Sequence, residues 1–213
     1  SSPGRRIDTF GAAMNLYTML AARAEAENPI RVGLIGAGAN ARAVHIPGFQ
    51  RIPECQIAAV ANRSMESSRR VTDEFNIPRA YAGWRDLLDD DSIDAVCIGT
   101  WPYMHRTLTV AALESGKHVL CQARMANTAQ EARDMLDASL RHPELISQLV
   151  PTSQTYRIDN VLKRMINDGF LGEILSVELQ RLQTRFPTVD GDLDWRHDVA
   201  FSGYNTLNIG ASY

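Results

Sequence analysis

The sequence predicts an α/β fold in which a doubly wound parallel sheet is followed by the beginning of a second domain. Residues 30–35 form a short apolar run, rich in β-branched side chains and bounded by glycine, as in a strand buried on both faces. Predicted strands and helices then alternate as far as residue 150, the order that places a parallel sheet between two layers of helices. After Pro151 the alternation stops, and one strand with two helices cannot close a core of its own.

The turn after the first strand has the spacing of a dinucleotide-binding loop. Gly36, Gly38 and Ala41 follow the strand as G-x-G-x-x-A. In that pattern the small residues allow a tight turn, a close approach of the backbone to a pyrophosphate, and close packing of the helix on the strand. The helix that starts near Asn40 would direct its unpaired N–H groups at the phosphates. An ordinary tight turn is the alternative, and a second predicted strand at 56–61 disfavours it.

The residues at the end of the second strand are expected to contact the adenosine ribose. Asn62, Arg63 and Ser64 occupy the place, about twenty residues past the loop, where an acidic side chain would bind both ribose hydroxyls and repel a 2′-phosphate. Arg63 can pair with such a phosphate, and Asn62 and Ser64 can hydrogen-bond to it. We therefore predict NADP as the cofactor, with NAD as the alternative. Arg63 could instead be an exposed charge that leads into the next helix.

Local signals predict the other elements in order. Residues 12–27 have helical periodicity and end before a proline, which indicates an extra helix beside the nucleotide domain. Ser64 is a suitable N-cap for a helix over 65–75. The remaining expected strands are 79–81, 93–99, 117–121, 145–150 and 174–182, and the remaining helices are 84–90, one ending at 115, 128–141, 159–168 and one beginning near 203. The expected divisions are a tail and helix over 1–29, a nucleotide domain over 30–151, and an incomplete second domain over 152–213.

Composition does not indicate a nucleic-acid or membrane partner. The 213 residues carry a net charge of -3 without a long run of one sign, and no apolar stretch has the length of a membrane span. The stretch after Arg5 and Arg6 contains too many polar residues for a signal peptide. Cys97 and Cys121 fall in predicted buried strands, which favours core thiols over a disulfide or a metal site. We therefore expect a cytoplasmic protein that acts on a small molecule and holds no metal.

Several longer motifs resemble the Gfo/Idh/MocA family, the relatives of glucose–fructose oxidoreductase and inositol dehydrogenase. GKHVLCQARMA at 116–126 is similar to the family's G-K-H-V-L-C-E-K-P-x-A, and IDAVCIGTWPYMH at 93–105 is similar to its D-A-V-x-I-x-T-P-x-x-x-H. VGLIGAGANA, DGFLGEI, DWRHD and the closing SGYNTLNIGAS also resemble family segments. The resemblance implies an N-terminal Rossmann domain and a C-terminal α+β domain whose open sheet often mediates oligomerisation, so we expect a homo-oligomer. It also implies NAD(P)-dependent oxidation or reduction, frequently on a sugar.

The resemblance adds residues to the expected cofactor site. Trp101, at the carboxyl end of its strand, is placed to lie against the nicotinamide or the pocket edge, although it could be a packed loop aromatic. His105 matches the family's histidine after T-P, but at a helix start it could cap or pack instead. His45, on the first helix, is expected to be structural. Thr100 and Gln122 are the other two residues that we expect at the cofactor site.

The family's proton-handling residues are substituted in this chain. The lysine of E-K-P falls on Ala123, and the aspartate and histidine of D-x-G-x-H fall on Asn208 and Ser212. Hydride transfer at a carbinol carbon needs a group that takes or gives the hydroxyl proton, which contributes roughly 10²–10⁴-fold in rate. Asn208 and Ser212 can hydrogen-bond to a substrate without exchanging a proton usefully near neutral pH. His197 and the Tyr213 phenol are therefore candidate proton donors, each with a structural role as the alternative.

Three functions are compatible with these motifs. The first is an NAD(P)-dependent oxidoreductase that acts on a sugar, a polyol or a related carbonyl compound with an atypical proton relay. The second is a lyase or hydrolase that retains its dinucleotide. The third is a non-catalytic dinucleotide-binding pseudo-oxidoreductase, which the substitution of three titratable groups favours. Arg157 and Trp195 are expected near the substrate, with domain packing as the alternative.

Overall fold

Six parallel strands form one sheet in the order β3-β2-β1-β4-β5-β6. The computed structural model describes residues 29–150, 158–178, 195 and 198–203. The strand order reverses between β1 and β4, so the predicted doubly wound sheet is confirmed. The strands are β1 (Ile30–Ile35), β2 (Cys55–Ala61), β3 (Arg79–Tyr81), β4 (Ala95–Ile98), β5 (His118–Cys121) and β6 (Ser147–Leu149).

A helix lies between each strand and the next, and two more come after the last strand. The first helix, α1, is wound as a π-helix over Ala41–His45 and continues as an α-helix over Ile46–Phe49. A single 3₁₀ turn at Pro102–Met104 leads into α4. The other helices are α2 (Met65–Phe75), α3 (Trp84–Leu88), α4 (His105–Glu114), α5 (Ala129–Arg141), α6 (Asp159–Asn167) and α7 (Val199–Ser202). None of the helices in the described ranges is long and apolar enough to cross a membrane.

Side-chain caps fix the ends of the longer helices. The Ser64 hydroxyl accepts a hydrogen bond from the Ser67 amide at 3.2 Å, as expected of the N-cap of α2, and Asn76 ends that helix in the left-handed conformation. Thr128 and Glu131 form a reciprocal capping box at the start of α5. These local hydrogen bonds explain why the predicted bounds of both helices agree with the structure.

The sheet is buried on both faces. Leu34 and Cys97 point into one cluster of buried side chains, whereas the next residues, Ile35 and Ile98, point into the other. Fully burying a leucine or isoleucine side chain contributes roughly 1.5–3 kcal/mol, so these clusters stabilise the sheet from both sides. Cys97 and Cys121 are free buried thiols, and burial raises the pKa of each to about 12. They are therefore core residues, as the sequence predicts.

The strand predicted over 174–182 is not formed in its described part. Residues 174–178 carry no strand pairing with the described chain, and the side chains of Leu175 and Val177 are exposed. An alternating pattern forms a strand when a neighbouring edge supplies backbone partners, and no described strand does so here. Residues 179–182, the predicted helix at 12–27 and the helix expected after Gly203 lie outside the described residues. The division of the chain at 29 and 151 remains a prediction.

Candidate functional site

A cleft of about 530 Å³ opens at the carboxyl edge of the sheet, where the strand order reverses. In open α/β sheets this crevice is the usual place for a ligand, and the volume is that of a small-molecule site. Six of the predicted cofactor residues line it: Gly36, Gly38, Asn62, Arg63, Thr100 and Trp101. Four further residues line it that no sequence motif predicts there: Ser67, Trp84, Arg85 and Tyr103.

The glycine loop is pressed directly against the loop that follows β4. Gly36 has a φ of +86°, and a Cβ there would lie 2.6 Å from Thr100 Cγ2 and 2.8 Å from the Thr100 backbone nitrogen. A Cβ on Gly99 would lie 2.6 Å from the Gly36 carbonyl oxygen. At Gly38, by contrast, a Cβ would meet no described atom within 4 Å. Ala41 is buried where α1 begins, so the helix packs closely on the sheet.

Asn62 fixes the glycine loop to helix α2. Its Oδ1 accepts a hydrogen bond from the Ala37 amide at 2.8 Å, and its Nδ2 donates to the Ser67 carbonyl at 3.1 Å. Its backbone amide donates to the Ser68 hydroxyl at 2.8 Å. The amide group expected to contact a phosphate is therefore engaged with the protein, where it holds the loop in shape. The Ser64 hydroxyl is engaged in capping α2.

Two arginine–tryptophan pairs lie at the cleft. The Arg63 guanidinium carbon is 5.2 Å from the centre of the Trp101 ring, and the Arg85 guanidinium carbon is 4.2 Å from that of Trp84. Both distances fall in the range of a cation–π interaction. Arg63 is exposed and lines the cleft at the end of β2, so its charge is accessible to solvent and to a ligand.

Aromatic rings from the later part of the chain cover Trp101. The ring of Trp195 stacks on Trp101 with centroids 5.4 Å apart and an angle of 14° between the planes. Phe201 of α7 contacts Trp101 at 5.0 Å and Tyr103 at 5.6 Å. Trp195, which the resemblance places near the substrate, thus stacks on a residue that lines the cleft.

His105 is completely buried between two loops. Its Nδ1 lies 2.6 Å from the Arg124 carbonyl oxygen and its Nε2 lies 3.0 Å from the Thr100 carbonyl oxygen. Burial lowers the pKa of the imidazole, although the two carbonyl groups oppose that effect. The ring packs between these loops and does not line the cleft, and its role toward a cofactor stays a prediction. It joins the loop after β4 to the segment after β5.

Gln122, Asn40 and His45 meet beside the glycine loop. The Gln122 backbone amide donates to the Ile98 carbonyl at 2.9 Å and so extends β5 alongside β4. Its side-chain Oε1 lies 2.6 Å from His45 Nε2, and Asn40 Nδ2 lies 3.3 Å from the same nitrogen. Sequence spacing does not predict this contact, because 77 residues separate His45 from Gln122. The three side chains share the carboxyl edge of the sheet.

The predicted catalytic residues lie outside the described part of the chain. They are His197, Asn208, Ser212 and Tyr213, and the predicted substrate residue Arg157 is outside it as well. Ala123, where the sequence resemblance places the family's lysine, is exposed immediately after Gln122. The described residues therefore include the cleft and none of the predicted catalytic residues.

Comparison with known proteins relates this chain to a family with a nucleotide-binding fold. Residues 30–148 match the family model described as "Oxidoreductase family, NAD-binding Rossmann fold". The chain is 28% identical to levoglucosan dehydrogenase of Pseudarthrobacter phenanthrenivorans, over 86% of this chain and 49% of the relative. It is 32% identical to D-xylose 1-dehydrogenase (NADP(+)) 2 of Haloferax volcanii, over 84% and 53%. It thus spans about half the length of these relatives.

A solved structure extends the likeness to three dimensions. KijD10, a 3-ketoreductase from Actinomadura kijaniata crystallised with NADP and TDP-benzene, superposes with a TM-score of 0.68 at 25% identity. The alignment covers 86% of this chain and 55% of that protein.

Proposed function

Because the chain belongs to the Gfo/Idh/MocA oxidoreductase family, whose model covers residues 30–148, we propose that it transfers hydride between NADP(H) and a small carbonyl or hydroxyl compound. The observation that carries this proposal is the glycine loop held against the loop after β4. We assign the substrate to the sugars, polyols and related carbonyl compounds. Two relatives named for dehydrogenation of levoglucosan and D-xylose support that class.

The cleft fits the pyrophosphate of a dinucleotide. Gly38 leaves room in front of the loop, since a Cβ there would meet no described atom within 4 Å. Behind it, helix α1 begins with amides that have no intrahelical partner, and such amides together with the helix dipole favour an anion. The Ala37 amide is already bonded to Asn62, so the loop keeps its shape without a ligand. The Gly38 amide likewise donates to the Gly36 carbonyl at 3.0 Å, so the amides of Ala39 and Asn40 would hold the diphosphate.

The charge at the end of β2 favours NADP over NAD. Arg63 and Ser67 line the cleft where the adenosine ribose would lie, and no carboxylate lines the cleft among the described residues. A carboxylate there would repel a 2′-phosphate, whereas a guanidinium pairs with it through charge-assisted hydrogen bonds. Arg85, which also lines the cleft, adds a second positive charge. KijD10, crystallised with NADP, supports this assignment.

The described residues would bind and orient the two reactants. When bound, the dinucleotide supplies or accepts the hydride at its nicotinamide ring. Trp101, covered by Trp195, would form an apolar wall that excludes water from the cleft. Ala123 cannot handle a proton. We propose that the relay uses another group, with His197 and Tyr213 as candidates from the sequence.

A non-catalytic dinucleotide-binding protein is the second candidate. The observation that favours it is the alanine at position 123, which is exposed at the carboxyl edge where the family resemblance places a lysine. Such a protein would bind NADP(H) in the same cleft and would not oxidise or reduce any compound.

Absorbance at 340 nm distinguishes the two candidates. The full-length protein is mixed with NADP⁺ and a panel of sugars and polyols, and in a second series with NADPH and the corresponding carbonyl compounds. We expect an absorbance change with at least one compound, and a larger one with NADP(H) than with NAD(H). If the protein binds NADP(H) and the absorbance stays constant across the panel, the oxidoreductase proposal is wrong and the non-catalytic one stands.

A further inference from the structure

We propose that a second cavity, separate from the cleft, binds a small and mostly apolar molecule that carries one hydroxyl group. This cavity has a volume of about 230 Å³ and is lined by residues of α4, α5, β5 and β6 and of the segment between β5 and α5. None of its lining residues lines the cleft at the carboxyl edge. The proposed oxidoreductase function does not use this site.

Most of the wall of this second cavity is apolar. Val119 and Cys121 of β5 and Met135 of α5 are buried members of one core cluster, and Met125 packs against that cluster. Water binds poorly to such a wall, because a buried water needs about two to four polar partners. An apolar cavity of about 150 Å³ is large enough to take up benzene. A single six-membered ring therefore fits the volume.

One buried hydroxyl group in the wall lacks a hydrogen bond. Thr109 is 4% exposed, and its hydroxyl oxygen has no hydrogen-bond partner among the residues that the structure describes. Burial raises the pKa of the Cys121 thiol and the Thr109 hydroxyl opposes that effect, but a thiol is only a weak hydrogen-bonding group. The hydroxyl of Ser139, which also lines the cavity, donates to the Leu136 carbonyl at 2.8 Å. Because an unpaired buried hydroxyl destabilises a fold, a ligand that pairs with Thr109 gains affinity.

These features define the chemical class of the ligand. A threonine hydroxyl can both donate and accept a hydrogen bond, so a hydroxyl group on the ligand suits it in either direction. The sulfur atoms of Met125 and Met135 can make favourable contacts with an aromatic ring. No charged side chain of the described residues lines the cavity, so it does not favour an ion. Phenol combines a ring and one hydroxyl at this size and is a suitable probe.

Methyl NMR of the full-length protein with labelled methionine tests the placement without cofactor or turnover. Phenol should shift the Met125 and Met135 resonances, with a dissociation constant on the order of 1 mM. Met104 lines the cleft and Met65 begins α2, so both resonances should stay unchanged and serve as controls. The proposal is wrong if the first two resonances do not move at about 10 mM phenol, or if Met104 moves as much as they do.

Thr109→Val tests the hydroxyl group, because valine has nearly the same shape and no polar atom. The ratio of phenol affinity to toluene affinity should fall at least about threefold from that of the parent. Since the parent hydroxyl is unpaired, the equilibrium constant of unfolding should not rise by more than about twofold. An unchanged ratio of the two affinities would show that Thr109 does not contact the ligand, and would overturn the proposal.

Thr72→Val is the matched control. Thr72 is also buried in a helix, but its hydroxyl donates to the Arg69 carbonyl at 2.9 Å. We expect its unfolding constant to rise roughly 2- to 10-fold and its ratio of phenol to toluene affinity to equal that of the parent. If Thr109→Val raises the unfolding constant as much as Thr72→Val does, the Thr109 hydroxyl is already paired in the folded protein and the proposal is wrong.

These measurements separate the second cavity from the oxidoreductase function, because neither methyl shifts nor affinity ratios require hydride transfer. A protein that binds phenol here and turns over no compound would retain this site and lose the oxidoreductase function. A protein that turns over a compound and does not bind phenol would lose only this site.

Discussion

The charged side chains at the two ends of the parallel strands make different contacts. The strands begin at the amino edge of the sheet and end at its carboxyl edge. At the amino edge, Asp94 accepts hydrogen bonds from the Arg31 amide at 2.8 Å and from its guanidinium at 3.1 Å. The buried Lys117 ammonium donates to the Asp90 carbonyl at 2.9 Å. At the carboxyl edge, the guanidinium of Arg63 is exposed at a cleft. The amino edge therefore uses its charges for stability, while the carboxyl edge presents a charge to a ligand.

This contrast follows from the cost of burying polar groups. A buried charge without a partner is expensive, so Lys117 is held by a carbonyl and Asp94 by an arginine. A charge that is to bind a ligand must instead be accessible before binding. Substitutions at the amino edge should therefore change stability. Substitutions at the carboxyl edge should change cofactor affinity.

The largest effect is expected where the glycine loop contacts Thr100. This contact should affect both the stability of the fold and the affinity for the cofactor. Gly36→Ala places a Cβ 2.6 Å from Thr100 Cγ2 on a backbone with φ of +86°. We expect the free energy of unfolding to fall by about 2–4 kcal/mol and NADP affinity to fall at least about tenfold. Urea unfolding and calorimetry measure the two quantities.

Gly116→Ala is the matched control for that variant. Gly116 also has a positive φ, +71°, but a Cβ there would meet no described atom within 4 Å. It precedes β5 at the amino edge, so we expect a loss of about 1 kcal/mol and unchanged NADP affinity. Equal effects of the two variants would mean that the contact with Thr100 does not matter.

The next effect concerns Arg63. Arg63→Gln removes the charge proposed to bind the 2′-phosphate, so NADP affinity should fall about 10- to 100-fold while NAD affinity changes by less than about threefold. Titrations with both dinucleotides measure this ratio. A parallel loss for NAD and NADP would show that Arg63 does not read the phosphate.

The next prediction concerns the contribution of the Asp90 carboxyl, near the amino edge, to stability. Burial by itself raises the pKa of this carboxyl, but hydrogen bonds from Ser92 and Tyr81, together with Arg79, outweigh it and lower the pKa to about 2 from the ordinary 3.8. Because the folded pKa is depressed, the stabilisation is present above the ordinary value and is lost as the pH falls through about 2. Asp90→Asn should cost about 1–2 kcal/mol near neutral pH.

Denaturant unfolding at several pH values checks the Asp90 prediction. The difference between parent and Asp90→Asn should be constant above about pH 4 and shrink below it. NADP affinity should stay unchanged at neutral pH. A difference that persists undiminished at pH 2 would exclude the ionised carboxylate as its source.

The smallest effect is expected from a charge at neither edge. Arg70 lies one helical turn from Glu66 on the exposed face of α2, with a nitrogen–oxygen distance of 3.6 Å. Both side chains are largely solvated, so Arg70→Gln should change stability by less than about 0.5 kcal/mol and leave NADP affinity unchanged. It also serves as the matched control for Arg63→Gln. A loss of NADP affinity here would point to a general effect of positive charge.

Local chemistry in the sequence predicts much of the fold and part of the site. The run at 30–35, the spacing of Gly36, Gly38 and Ala41, and the caps at Ser64 and Thr128 act within a few residues, and the structure agrees with each. The position of Arg63 directly after β2 predicts its place at the cleft. These features need no knowledge of which strands are neighbours.

Long-range contacts account for what the sequence does not predict. His45 meets Gln122 because β1 and β5 flank β4, so the ends of distant segments converge at one edge. The side-chain amide of Asn62 can bind either a phosphate or a backbone group, and the sequence alone does not say which. In the structure its oxygen accepts a hydrogen bond from the Ala37 amide. The strand predicted over 174–182 required a partner edge that its pattern does not specify.

Calorimetry with the oxidised and reduced forms of both dinucleotides shows whether the cleft binds a cofactor. We expect saturable binding of NADP(H) to the full-length protein, tighter than that of NAD(H) and weakened by Gly36→Ala. If neither dinucleotide binds in either redox form, the cleft at the carboxyl edge is not a cofactor site and the proposed function is wrong.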